Sequence, residues 1–535
     1  MPPSMGCDEV VVGGLTGALG VVISAPSTVV VTQMNLSFTG WAEGLHGSNL
    51  WSFGDGVEAT NRIDVQPAWS TPGDYDVVLR IFNQTHPAGV AATVAVRVVT
   101  IGEATIYADA SNSLPAAPYT NWSGAAATLQ EAVDVAAQSG IVGIRVLVTN
   151  GVYDTGGAVT PGFSCSNRVA ITDPVPVFSV NGPDVTIIQG APGVRGVYMT
   201  AGLLSGFTIT NGQTLTSGDL DNDRSGGGAH LRAGSGRLED CVLIGNTASS
   251  DGGGAYGGVL QRCRVAGNTA QRGGGMLETE ARNCLIEGNT AFVGGGAVAG
   301  ELVESTIVGN HANFLGGAVT SGSVRNSIVQ DNTTPFPDGD FFQSSVAFCA
   351  TPSLQPGPGN IVGPALFVNP GAGDYRLQFA SPCINRGQNG SVSDLLDLAG
   401  NPRIVDGIVD MGAYEAYDDG RDSDGDMLSD WQEIRVHGSD MNQPDTDGDW
   451  MTDGEEVFAG TDPTDPQSLL AITSIIPGAT NVGASYGGYA ALMATVKTPD
   501  LFKCAVSFAG VSSLKHVIIH SRRFLNNEFV KNQIG

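Results

Sequence analysis

"LEDCVLIGNTASSDGGGAYGG" (residues 238–258) is followed by "LQRCRVAGNTAQRGGGMLETE" (260–280), "ARNCLIEGNTAFVGGGAVAGE" (281–301), "LVESTIVGNHANFLGGAVTSG" (302–322) and "VRNSIVQDNTT" (324–334). Self-similarity at a fixed period marks a repeat architecture. Asn246, Asn268, Asn289, Asn310 and Asn332 recur at intervals of 22, 21, 21 and 22. "LLSGFTITNG" (203–212) is an earlier copy ahead of an insertion. This period fits one coil of a right-handed parallel β-helix, with short strands and tight corners. A coil cannot bury its apolar face alone, so coils stack, with equivalent residues about 4.8 Å apart. Cys241, Cys263, Cys284 and Ser305 are expected in one inward slot, and the Asn residues in a ladder that bonds backbone and neighbouring side chains. The triplets Gly252–Gly254, Gly273–Gly275 and Gly294–Gly296 suit corners that need positive φ.

Working outward, "IYADA", a helical "TLQEAVDVAAQSG" and "IRVLVTNGVYD" precede the repeats, and "SPCINRGQNGSVSDLLDLAGNPRIVDGIVDMGAYE" follows them. The opening resembles pectate-lyase-like β-helices, in which a helix caps the open end. The exit resembles the closing segment of bacterial surface β-helix proteins, and the glycine-triplet coils resemble polymorphic outer-membrane protein repeats. The β-helix is assigned to residues 101–416. A carbohydrate-active enzyme on it would need paired acids or a basic proton acceptor. Asp221, Asp223, Asp240, Glu287 and Glu304 are candidates, with Arg237, Arg262, Arg264 and Arg282, but they form no recurring pattern.

"DSDGDMLSDWQE" (422–433) and "DTDGDWMTDGEE" (445–456) share one spacing, with carboxylates at positions 1, 3, 5, 9 and 12. Ca²⁺ takes six to eight oxygen ligands, and acids at every second loop position supply them. The first ligand set is Asp422, Asp424, Asp426, Asp430 and Glu433, with the Leu428 carbonyl. The second is Asp445, Asp447, Asp449, Asp453 and Glu456, with the Met451 carbonyl. The glycine stands at position 4, unlike an EF-hand. The pattern resembles thrombospondin type 3 calcium repeats, assigned to 417–468, with "GTDPTDP" (460–466) as their bacterial ending.

Toward the N-terminus, "LWSFGDGVEATN" and "PAWSTPGDYDVVLRIFNQ" alternate as strands, with Tyr75, Val77, Leu79 and Ile81 on one face. Trp51, Phe53, Gly54, Asp55, Gly56, Pro72, Gly73, Tyr75 and Val77 resemble a PKD repeat. This implies a small β-sandwich over 21–100, a spacer or binding module without catalysis. Residues 1–20 read as a remnant of a preceding β region.

"GASYGGYAALMATVKTPDLFKCAVSFAG" begins at Gly483. The G-x-S-x-G turn places a serine between strand and helix and resembles the prolyl oligopeptidase family. The resemblance makes Ser485 the nucleophile and the Tyr486 amide an oxyanion donor. The triad Asp and His follow well after the serine in that family. Here only Asp500, His516 and His520 are available, and "PGATN" is a poor buried strand. Residues 469–482 read as the start of a truncated β domain and 483–535 as a hydrolase fragment, inactive as written.

The composition agrees with this mosaic. The chain has 535 residues, 75 of them Gly, and a net charge of −28. That acidity argues against nucleic acid and suits hard cations. No Lys occurs before Lys497, while Lys497, Lys503, Lys515 and Lys531 crowd the end. This break and the missing hydrolase strands point to a fusion or assembly joint near residue 482. The eight cysteines form no metal-ligand pair. No basic residue precedes the first apolar stretch, so no signal peptide is evident and the true N-terminus is expected to lie upstream. No segment is apolar and long enough to span a membrane.

The expected molecule is a mainly β, secreted or cell-surface bacterial protein for adhesion, binding or display. Its partner would be an extracellular polysaccharide or protein, and its cofactor Ca²⁺. The alternatives are a serine peptidase of the prolyl oligopeptidase type and a carbohydrate-active β-helix enzyme.

Overall fold

The computed structural model describes residues 15–232, 236–336 and 339–468, together with the backbone of strands Asn481–Ala484 and Ala505–Phe508. The chain divides into two compact units, Met1–Ala416 and Tyr417–Gly535.

The first unit opens with two facing sheets. Gly20–Ser24, Phe38–Glu43 and Asp64–Val65 form a three-stranded antiparallel sheet. Ser48–Ser52, Glu58–Thr60, Gly73–Phe82 and Val90–Val99 build most of a six-stranded one. Alternation along Gly73–Phe82 turns Val77, Leu79 and Ile81 inward onto Phe38, Trp51 and Trp69. The buried indole N–H groups are satisfied: Trp51 Nε1 donates to the Arg62 carbonyl and Trp69 Nε1 to that of Phe53, both at 3.0 Å. Val29–Val31 pairs in parallel with Ile141–Val142, which follows the helix of the next segment. The sandwich therefore takes one edge strand from beyond residue 100.

That helix is Leu129–Gln138, started by a capping box between Thr128 and Glu131. Its apolar face, Leu129, Ala132, Val133 and Ala136, joins the solenoid core. Two ten-stranded sheets and one nine-stranded sheet then run along a parallel β-helix. Leu238, Leu260, Ala281, Leu302, Val324 and Val346 are successive partners in the first sheet and fill the core.

The Asn ladder forms at the corner after the second sheet. Asn246 donates its backbone N–H and its Nδ2 to Asn268 Oδ1, at 2.9 and 3.0 Å, and Nδ2 also donates to the Ile209 carbonyl. Asn268, Asn289 and Asn310 repeat this pattern toward the next coil. All four side chains are buried. Cys241, Cys263, Cys284, Ser305, Ser327 and Cys349 are buried, one in each successive coil, so the column is longer than its cysteines suggested. In each triplet only the first glycine has positive φ, for instance Gly273 at 64°. The second is needed for close approach: a Cβ on Gly274 would lie 2.5 Å from the Thr290 carbonyl oxygen.

Asn289→Leu tests the ladder. The substitution keeps roughly the size but leaves the Asn268 N–H without its acceptor, removes one of the two bonds of Asn268 Nδ2, and takes the Nδ2 donor from the Val265 carbonyl. Each orphaned buried group costs about 1–3 kcal/mol. A fall of at least about 3 kcal/mol in the stability of the first unit is expected by denaturant unfolding.

Residues 365–416 close the unit by running back along the solenoid. Gly412 N–H donates to the Asn326 carbonyl and Ala413 N–H to Thr306 Oγ1. The buried Arg403 reaches Glu415 Oε2 at 2.8 Å and Glu304 Oε2 at 3.7 Å.

Candidate metal centre

Residues 417–468 fold around the two acidic loops. Each loop ends in a helix started by a capping box, Ser429 with Gln432 and Thr452 with Glu455. The loops are near copies. Asp422 accepts from the N–H groups of Gly425 and Met427, as Asp445 does from Gly448 and Trp450. Asp426 accepts from Leu428 N–H and Asp449 from Met451 N–H. Asp430 accepts from Ser423 N–H and Oγ at 2.8 Å, and Asp453 from Thr446 N–H and Oγ1 at 2.8 and 2.7 Å. Position 9 therefore closes each loop on its own second residue.

Carboxylate oxygens of Asp422, Asp424 and Asp426 lie within 4.8 Å of one another, as do those of Asp445, Asp447 and Asp449. Glu433 and Glu456 are wholly buried. Both oxygens of Glu433, Glu456 and Asp424 have no hydrogen-bond partner, nor has one oxygen each of Asp447 and Asp449. Buried carboxylate oxygens without donors are costly unless a cation takes them. Burial, and next the charge of Asp424, push Glu433 up to about 8. Burial likewise pushes Glu456 up to about 7, and burial with the Asp426 charge pushes Asp424 up to about 6. The donor set is all oxygen and all anionic, which fits a hard divalent cation.

Tertiary structure adds a link that linear spacing did not signal. Gly454 N–H, at the start of the second helix, donates to Asp426 Oδ2 of the first loop at 2.8 Å. The adjoining Asp453 charge acts on Asp424, Asp426 and Glu433 of the first cluster and on Asp447 and Glu456 of the second. Asp453→Asn is therefore expected to weaken cation binding at both loops, by about tenfold at each. Titration calorimetry in which only one of two binding steps changes would contradict this.

Met427 and Trp450, at position 6 of their loops, both have φ of 86°, a region costly for bulky residues. Their N–H groups are the ones held by Asp422 and Asp445. The expected carbonyl ligands Leu428 and Met451 follow directly after these two residues.

Ser485 and Tyr486 lie outside the described residues. The strand Asn481–Ala484 ends directly before Ser485 and pairs in parallel with Ala505–Phe508. A strand does therefore precede the serine despite "PGATN", and it crosses the 482/483 boundary. The acids considered on the β-helix have structural partners. Asp240 pairs with Arg262, Glu287 with Arg264 and Glu304 with Arg403. Asp223 accepts from the N–H groups of Ser164 and Cys165, and Asp221 is exposed.

Fold and site define a parallel β-helix protein carrying a pair of acidic loops. Residues 445–466, the second loop and its tail, match the bacterial TSP3 repeat. Residues 479–533 match the prolyl oligopeptidase family. A comparison with curated proteins finds no match. Among chains of known structure, the Dettilon tailspike protein is similar at 13% identity and a TM-score of 0.25, over 48% of this chain. The chain spans 62% of that protein's length. At that score the likeness does not bear on the fold, which the strand registers define. No helix among the described residues is long and apolar enough to cross a membrane.

Proposed function

We propose that this chain is a secreted or cell-surface binding protein, in which the β-helix presents a binding face and Ca²⁺ rigidifies residues 417–468. The observation that carries the reading is the pair of buried glutamates, Glu433 and Glu456, whose oxygens have no donor beside two aspartate clusters. Open oxygen-ligand loops of this kind fill at the calcium concentrations found outside cells. The ion pairs of the β-helix acids favour a scaffold over a polysaccharide-cleaving enzyme. Calorimetric titration of the whole chain with calcium tests the reading. Two bound ions per chain are expected, one for each cluster, and no binding overturns it.

A peptidase reading is favoured by one observation, the parallel strand pair that flanks Ser485 within the matched segment. Serine attack needs a base and a group that orients it, and of Asp500, His516 and His520 after Ser485, Asp500 lies in the helix-to-strand loop that the family motif leaves non-catalytic. A fluorophosphonate probe is expected to leave Ser485 unlabelled. Stoichiometric labelling lost in Ser485→Ala would establish the peptidase instead.

A further inference from the structure

The solenoid's faces differ in what they leave open. The first sheet carries paired charges, such as Arg237 with Glu239 and Arg282 with Glu280. On the second sheet Leu285, Thr306 and Ile328 are buried where the closing segment runs. A short fourth sheet, Thr269–Arg272, Thr290–Val293 and His311–Leu315, turns Ala270, Ala291 and Ala312 inward. Outside, Phe292 and Phe314 stack with centroids 5.5 Å apart and planes within 8°, and Phe336 meets Phe314 edge-on at 5.9 Å. These rings are 50%, 43% and 49% exposed respectively.

Adjacent apolar rings left open in a row on a soluble surface mark an interaction site. Beside them runs a row in register, Thr269, Thr290, His311 and Thr333, all capable of hydrogen bonds and none of them an acid, a lysine or an arginine. The single formal charge on these three strands, Arg272, is bonded to Asp251. We infer that this face binds a neutral polysaccharide lying along the solenoid axis. A pyranose ring matches both rows, with a C–H face for the aromatic ladder and hydroxyls for the polar row. One aromatic per coil, at about the length of one sugar ring, suits a polymer rather than a monosaccharide. The net charge of −28 disfavours acidic polymers.

The inference rests on the binding reading above and narrows its partner class. Its test is affinity electrophoresis of the whole chain in native gels containing dextran, mannan or laminarin, with polygalacturonate as the acidic comparison. Retardation by at least one neutral polymer is expected, weakened at least about tenfold in Phe292→Ala/Phe314→Ala. Thr290→Val, which leaves the rings in place, is expected to weaken it less. The half-exposed rings can be removed without unfolding the solenoid, and circular dichroism checks this. Retardation by none of the neutral polymers, by polygalacturonate alone, or equally for the double variant overturns the inference. So does self-association abolished by the double substitution, which would make the occupant a second copy. Calcium titration of the same samples reads the other half of the proposed function independently.

Discussion

Stripping calcium from the protein is expected to lower the unfolding midpoint of residues 417–468 by on the order of 15–30 °C, with the β-helix transition unchanged. Two sites, each held at about thirty times its dissociation constant, together add about 4 kcal/mol, and a small unit shifts by about 4–8 °C per kcal/mol. The pH dependence gives a second readout with a defined sign. Glu433, Glu456 and Asp424 are raised to about 8, 7 and 6 in the calcium-free fold, against about 4 in an unfolded chain. The folded form thus binds more protons, so calcium-free stability is greatest below about pH 4 and falls as the pH rises toward 8. With calcium the slope reverses, because protons then compete with the ion, and binding near pH 7 releases protons. Melts with and without chelator at pH 5 and pH 8 separate the two slopes. Parallel curves would contradict the site.

Arg403→Met is expected to cost the first unit about 3–5 kcal/mol. The guanidinium lies in full burial between Glu304 of the solenoid and Glu415 of the closing segment. It also donates to the carbonyls of Asp410 and Gly412. Burial, followed by the Asp410 charge, already pushes Glu415 up to about 8, and Arg403 opposes that rise. Without the cation Glu304 and Glu415 stay buried without the charge they share, and the closing segment loses its hold over Ile328, which Gly412 approaches. The deficit is expected to shrink at acidic pH, where both acids are protonated. Arg403→Met combined with Glu304→Gln and Glu415→Gln is expected to recover most of the loss, since uncharged replacement of a whole buried ion cluster is often neutral. Denaturant unfolding measures both, and an unchanged midpoint in the single variant would refute the role.

The sequence by itself determined the solenoid, its inward cysteine slot, its Asn ladder and both acidic loops. In each case chemistry repeats along the chain: an Asn side chain that bonds the next coil must recur at the coil period, and a cation loop must place an acid at every second position. The sequence also showed the helix that begins after Thr128, because "TLQEAVDVAAQSG" is a local pattern, while its capping box was seen only in the structure. Only the tertiary structure decided the rest, because those contacts join residues with no fixed spacing. Arg403 meets Glu304, Gly454 meets Asp426, and Ile141–Val142 completes a sheet with Val29–Val30. The corner residues Asp240, Arg262, Asn283, Glu304 and Asn326 all take positive φ between 47° and 54°, yet none is glycine. Four residue types over these five positions hide that common backbone from any reading by residue type. The stack of neighbouring coils holds it, since each corner is fixed by the hydrogen bonds of the turn above and the turn below.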